Sequence, residues 1–227
     1  MAPVLASSTP VQITAANLTS LVTSAITVNN GDVLVVKSGS EAQIVVGGTP
    51  TAPGQTFTSR KAVSVSGYSW AGCSTAVVTG SPGTLVVTQA WSGTSGQHEM
   101  LVERWTGAQL AGTPATNTTV TVSSTGFSGT LTTVAANSVV SWIAIDTNTN
   151  TPGTVGYRSS ATQEQVTTPG NYVGYFAYQA AAVSGAQTFG TTTPTGAAWS
   201  FIGIEIEAAA AAPDYPFGTT TPTPRYR

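Results

Sequence analysis

Two pairs of carboxylates, Glu99 with Glu103 and Glu205 with Glu207, are spaced closely enough along the chain to be weighed as a general acid and its partner. On an extended strand, Glu99 and Glu103 share a face but stand about 13 Å apart at roughly 3.3 Å per residue, beyond what a glycosidase pair needs. Glu205 and Glu207 fall within that range at about 7 Å. They alternate with Ile202, Ile204 and Ile206, which puts the isoleucines on one face of a half-buried strand and both acids on the solvent face, where they serve solubility. His98 is the one histidine, so a histidine-based triad has a single possible base, and no serine or cysteine stands in a recognisable nucleophile setting. Cys73, also single, cannot close an internal disulfide and reads as a small buried apolar residue. Asp146-Thr-Asn148-Thr-Asn150 has the alternating oxygens that open a calcium loop. Thr151-Pro152 then replaces the glycine turn, and the twelfth position, Tyr157, is not an acid, so an Asx-rich turn is expected. These residues predict no catalytic group, no metal and no cofactor.

Aromatic rings are the stronger binding candidates. A flat apolar face with a polar rim suits stacking on a sugar. Trp142, between Val139-Val140 and Ile143, and Trp199, leading the last strand, read as core. Trp70 and Trp91 border Gly/Ser-rich loops and are expected to be exposed; with Tyr157 they form the candidate ligand-binding set.

The elements that must position these groups are strands. Val33–Lys37, Leu85–Gln89, Met100–Arg104, Val120–Val122, Val139–Ile145, Val173–Tyr178 and Phe201–Glu207 are short, β-branched or aromatic runs separated by Gly, Pro, Asn or Ser clusters. Asn29-Asn-Gly-Asp32 tolerates positive φ and predicts a tight connection between Ala25–Val28 and Val33–Val35. No segment keeps a helical period, and about eight or more unevenly spaced strands predict a two-sheet sandwich. Only 16 of 227 residues are charged, and Thr, Ser, Asn and Gln fill the polar positions. A net charge of −2 with scattered Lys and Arg supplies no basic field for nucleic acid. No apolar run is long enough to span a membrane, and the start, MAPVLASSTP, lacks the pattern of a secretory signal.

The expected organisation is an N-terminal arm (1–10), one β-sandwich domain (11–208) and a Pro-rich extended C-terminal arm (209–227). Pro213, Pro216, Pro222 and Pro224 keep that last segment out of a sheet interior, while Tyr215, Phe217 and Tyr226 offer apolar anchors for subunit docking. Phe217-Gly-Thr-Thr-Thr-Pro-Thr223 repeats Phe189-Gly-Thr-Thr-Thr-Pro-Thr195 without a change.

Taken in order, Gly67-Tyr-Ser-Trp70, Leu85–Thr88, Glu99-Met-Leu-Val-Glu-Arg-Trp-Thr-Gly107, Ala136–Val140 and Ala197–Glu205 resemble a jelly-roll module of tail-associated and other virion proteins of tailed bacteriophages. The resemblance covers most of 11–208. It implies a concanavalin-like jelly roll and a structural or adhesive role on the tail or capsid exterior, as a minor tail or capsid decoration protein. Its partners would be other virion proteins and copies of itself, with no catalytic residues to carry over. The alternative is a lectin-like module binding host cell-surface carbohydrate; a polysaccharide depolymerase ranks last, because the acids and the lone histidine assemble no site.

Overall fold

The computed structural model describes residues 1–41, 46–65, 69–94, 96–110, 116–123, 126–147, 151–194 and 197–210, and among them every regular element is a β-strand. The first half holds β1 (Val4–Leu5), β2 (Val11–Ala16), β3 (Ser20–Val22), β4 (Ile26–Thr27), β5 (Val33–Ser40), β6 (Thr58–Val65), β7 (Ser69–Val77), β8 (Thr84–Leu85), β9 (Thr88–Ala90) and β10 (Gln97–Thr106). The second holds β11 (Ala108–Gln109), β12 (Thr116–Ser123), β13 (Ser128–Thr133), β14 (Ser138–Asp146), β15 (Gly156–Tyr157), β16 (Thr162–Thr167), β17 (Val173–Ala181), β18 (Gly185–Thr193) and β19 (Ala197–Ala208).

The two halves repeat one topology. In the first, a large antiparallel sheet runs β1/β2-β10-β5-β7-β6; in the second, the order is β11/β12-β19-β14-β17-β16. The registers match as well. Val33 lies opposite Trp105 and Val77, as Val139 lies opposite Ile206 and Ala180. Each outer hairpin has a β-bulge at the same place, at Arg60 in β6 and Glu164 in β16. A bulge inserts one unpaired residue and re-aims its side chain.

The large sheets stack face to face. Val33, Val35, Leu101 and Trp105 of one meet Val139, Ile143, Phe176 and Ile204 of the other in a common core. Each sheet is also covered on its outer face. On the first, the pairs β3-β9 and β4-β8 bring Leu21, Ile26, Leu85 and Trp91 over Leu34, Val36, Met100 and Val102. On the second, the sheet β13-β18-β15 brings Phe127, Leu131 and Phe189 over Val140, Trp142, Tyr175 and Phe201. Two covered faces explain why β5 and β14 are buried along their whole length, and why each contains an unbroken apolar run, Val33–Val36 and Trp142–Ile145.

Several expectations need correction. Val4–Leu5, within the expected N-terminal arm, pairs with Trp105–Thr106 and so belongs to the sheet. Asn29–Asp32 is the tight connection expected between the two strands, but β4 and β5 do not pair with each other: β4 pairs with β8, while β5 lies between β10 and β7. Gly31 takes φ +86° there, and the Asn29 amide donates to Asp32 Oδ2 (2.6 Å), so the segment is a turn between layers. Leu85–Gln89 splits at Val86-Val87 into β8 and β9, which pair with different strands. Of the repeated segment, residues 189–193 form the second half of β18, with Phe189 fully buried; Thr195 and the twin at 217–223 lie outside the described residues.

Candidate functional site

The titratable residues concentrate in the core between the stacked sheets. Lys37 sits at mid-β5 on the inward face shared with Val33 and Val35, and is fully buried. Its Nζ pairs with Glu103 of β10 and with Glu164 at 2.5 Å, and donates to Ser141 Oγ of β14 at 3.0 Å. The bulge in β16 is what turns the Glu164 carboxylate inward. Glu103 is held further: Ser141 Oγ donates to its Oε1 and Trp105 Nε1 to its Oε2, each at 2.7 Å. The Lys37 ammonium also lies 5.7 Å from the centroid of the Phe176 ring.

Electrostatics divides the roles. Burial alone would lower Lys37, but the two carboxylates outweigh it and hold the ammonium above its ordinary range. Burial also works to raise Glu103, yet Lys37 and the hydrogen bonds around it bring it below the usual carboxylate range. Glu164 goes the other way, raised by burial and by the charge on Glu103. Beside the same ammonium and under the same burial, the two acids thus shift in opposite directions: Glu103, with the larger set of donors, is favoured in its ionised form, and Glu164 is disfavoured in that form by burial and by the charge beside it.

Glu99, four residues before Glu103 and on the same face, is pushed up to about 8 by burial, although Thr167 Oγ1 donates to its Oε2. Its carboxyl occupies space that Gly174 leaves open; a Cβ there would come within 2.0 Å of Glu99 Oε1. The beginnings of acid–base chemistry are present, with a protonated Glu99 beside an ionised Glu103. The spacing of about 13 Å on a strand argues against it, and neither residue lines the cavity beside Trp105 and Tyr178 or the one beside Trp91. The cluster binds the first half to the second.

The expected ring platform does not form. Trp70 and Trp91 were expected at the surface; they are 4 % and 5 % exposed, on the outer face of the first sheet. Trp70 is buried because Gly47 and Gly72 leave room for its ring; a Cβ at either would approach it to 2.4 Å or less. Trp91 stacks on His98, with centroids 4.6 Å apart and planes 16° apart, and burial holds that imidazole below its usual range. One edge of Trp91 still borders a shallow cavity of about 380 Å³, together with Val46, Gly48 and Ser92. Tyr157 belongs to the second half, where it pairs with Thr191 as Gly47 pairs with Trp91. It is half-buried, its hydroxyl donates to Gln163 Oε1 (2.7 Å), and burial raises the phenol to about 12.

Glu205 and Glu207 also depart from expectation, since both are buried rather than facing solvent. The Glu205 carboxylate accepts from the Val134 amide at 3.0 Å and the Ala135 amide at 3.1 Å, closing the turn before β14. In the common register its counterpart is Arg104, which bonds Asp32 Oδ2 (2.6 Å) in the turn before β5. Asp146 is buried at the end of β14, and Asn148 and Asn150 lie outside the described residues. No cluster of metal-ligating side chains occurs among the described residues. Trp142, Trp199 and Cys73 are core, as expected. Tyr215, Phe217 and Tyr226 lie outside the described residues.

The buried cluster had one signal in the sequence. Lys37 shares the inward period of Val33 and Val35, an unusual place for one of only two lysines.

No family model, curated protein or solved structure matches this chain.

Proposed function

We propose that this chain is a non-enzymatic structural protein of a tailed-phage particle, a minor tail or capsid decoration protein on the virion exterior. It would dock to neighbouring subunits through its C-terminal arm and sheet edges. The observation that carries this reading is where the charge lies. Lys37, Glu99, Glu103, Glu164, Glu205 and Glu207 are enclosed in the protein, and the described surface is left sparsely charged, with Lys61 exposed and Glu41, Arg60 and Arg158 partly so. Such a surface suits a subunit held permanently among others better than a freely diffusing enzyme, which relies on surface charge to stay dispersed.

The strand order supports a jelly-roll reading of each half. Counting β2, β3, β5, the segment bridging at Gly47, β6, β7, β9 and β10 as eight successive strands, the large sheet contains the first, eighth, third and sixth as neighbours. The smaller layer joins the second, seventh and fourth, and the second half follows the same order. β6 is the departure, because it pairs with β7 rather than with the smaller layer.

A second reading, a carbohydrate-binding module for adsorption to the host surface, draws on the cavity beside Trp91. Gold-labelled antibodies on intact particles test the first reading: label at regular stations on tail or capsid supports it, and unlabelled particles refute it. Glycan binding that Trp91→Ala abolishes, with the fold intact, would move the assignment to the second.

A further inference from the structure

An apolar cavity of about 350 Å³ opens at one end of the molecule, between the two halves. Pro3, Val4 and Leu5 form one wall, Trp105 and Tyr178 another, and the small side chains of Ala180 and Ala181 leave the space unfilled. Trp105 and Tyr178 meet edge to face with centroids 5.2 Å apart. Val4 is 55 % exposed on the rim. An apolar opening of this kind is what a ring can fill.

The chain itself leads to it. After β19 the Ala209 amide donates to Gly107 O (2.9 Å), and the Ala210 amide to Gln109 Oε1 (3.2 Å). Gly107 lies against the first strand, since a Cβ there would be 3.5 Å from Ala2 O, and Ala2 lines the cavity. The described chain therefore ends, at an exposed Ala210, beside the cavity wall. The residues that follow are Ala-Ala-Pro213-Asp-Tyr215-Pro-Phe217. An extended chain covers up to about 17 Å in the five steps to Tyr215 and about 23 Å in the seven to Phe217.

We propose that this cavity is the seat of the chain's own C-terminal arm, filled by the rings of Tyr215 and Phe217. Pro213 and Pro216 suit the segment to the task. Each fixes φ and removes a backbone donor, so an extended strip can lie on apolar surface with fewer unpaired amides. Asn137, also on the rim, supplies the polar partner that a buried tyrosine hydroxyl needs. The proposal keeps Tyr215 and Phe217 as the anchors of 209–227 but seats them on their own chain in place of a neighbouring subunit, which leaves the sheet edges and the rest of the arm for docking to neighbours. Particle labelling tests the virion assignment separately, so either can fail without the other.

The test uses the full chain with Ala180→Cys and Phe217→Cys, oxidised mildly at low concentration and mapped by peptide mass spectrometry. A disulfide within one chain is expected. Disulfides only between chains would give the seat to a second copy and overturn the proposal, as would no disulfide at all. Tyr215→Ala with Phe217→Ala provides a second readout that needs no engineered thiol. With an unchanged circular dichroism spectrum, its affinity for the apolar dye anilinonaphthalene sulfonate should rise roughly tenfold, because the dye no longer competes with the rings. Equal dye binding by the variant and the parent would also overturn the proposal.

Discussion

A lysine at the centre of a strand covered on both faces is tolerated only if its charge is answered in place, and at Lys37 two carboxylates and a hydroxyl do so. Lys37→Met leaves Glu103 ionised, buried and short of its main partner, and should lower stability by about 3–5 kcal/mol in denaturant titration. Replacing Glu103 and Glu164 by methionine as well should recover only part of that loss, because Trp105 Nε1 and Ser141 Oγ then lack their acceptor. A single Lys37→Met variant as stable as the parent would show that the cluster contributes no net attraction. Glu99 gives the opposite kind of prediction, because its folded value of about 8 lies above the ordinary 4.5. Below pH 4.5 both the folded and unfolded chains hold the proton. Between there and about 8 the folded chain keeps a proton the unfolded chain has lost, so stability falls as pH rises, by about 1.4 kcal/mol per pH unit, and levels off above. Glu164 is shifted in the same direction and adds to the fall. Glu99→Gln keeps the shape and removes the titration. Its melting temperature should drop less than the parent's between pH 5 and 8, and equal drops would mean that Glu99 is ionised in the folded protein.

At the scale of elements, composition and alternation revealed the strands but not their surroundings. Val33–Lys37, Val139–Ile145 and Phe201–Glu207 are strands as read, because β-branched and aromatic runs have little alternative in a chain without a helical period. Alternation failed for Glu205 and Glu207 because it presumes that one face is solvated, whereas β19 is covered on both. Trp70 and Trp91 were misread for a related reason. A neighbouring glycine marks a loop in sequence, but in space Gly47 and Gly72 make room for a ring. The repeat of the two halves was hidden because equivalent positions hold unlike residues: Lys37 answers to Ile143, Cys73 to Phe176 and Arg104 to Glu205, matched by register and not by identity. Arg104 and Glu205 do the same work with opposite charge, each holding the turn that precedes the central strand of its sheet. Glu205→Gln turns one acceptor into a donor that faces the Val134 and Ala135 amides, and should cost about 1–3 kcal/mol in thermal or denaturant unfolding. A loss near zero would place this carboxylate at the surface after all.

At the scale of the molecule, the two halves repeat a topology but do not own separate cores. Val33, Leu101 and Trp105 from one and Ile143, Phe176 and Ile204 from the other fill the same interior, and the ion cluster takes Lys37 and Glu103 from the first half and Ser141 and Glu164 from the second. Unfolding either half alone would expose the inner face of its neighbour and leave charges there without partners, so the intermediate is penalised twice. The chain should therefore melt in a single transition, with a calorimetric enthalpy equal to the van't Hoff value, even though it contains the arrangement twice. Ile143→Ala, in the shared layer, should lower that transition by about 2–5 kcal/mol without splitting it. Phe127→Ala, in the outer layer of the second half, serves as the comparison: Phe127 packs on Trp142, Phe189, Trp199 and Phe201, all within that half. If the first half were independent of the second, this variant would leave a separate late-melting component. A single lowered transition in both variants is the expected result, and two resolved transitions in either would show that the halves are joined only as neighbours and that the central layer does not couple them.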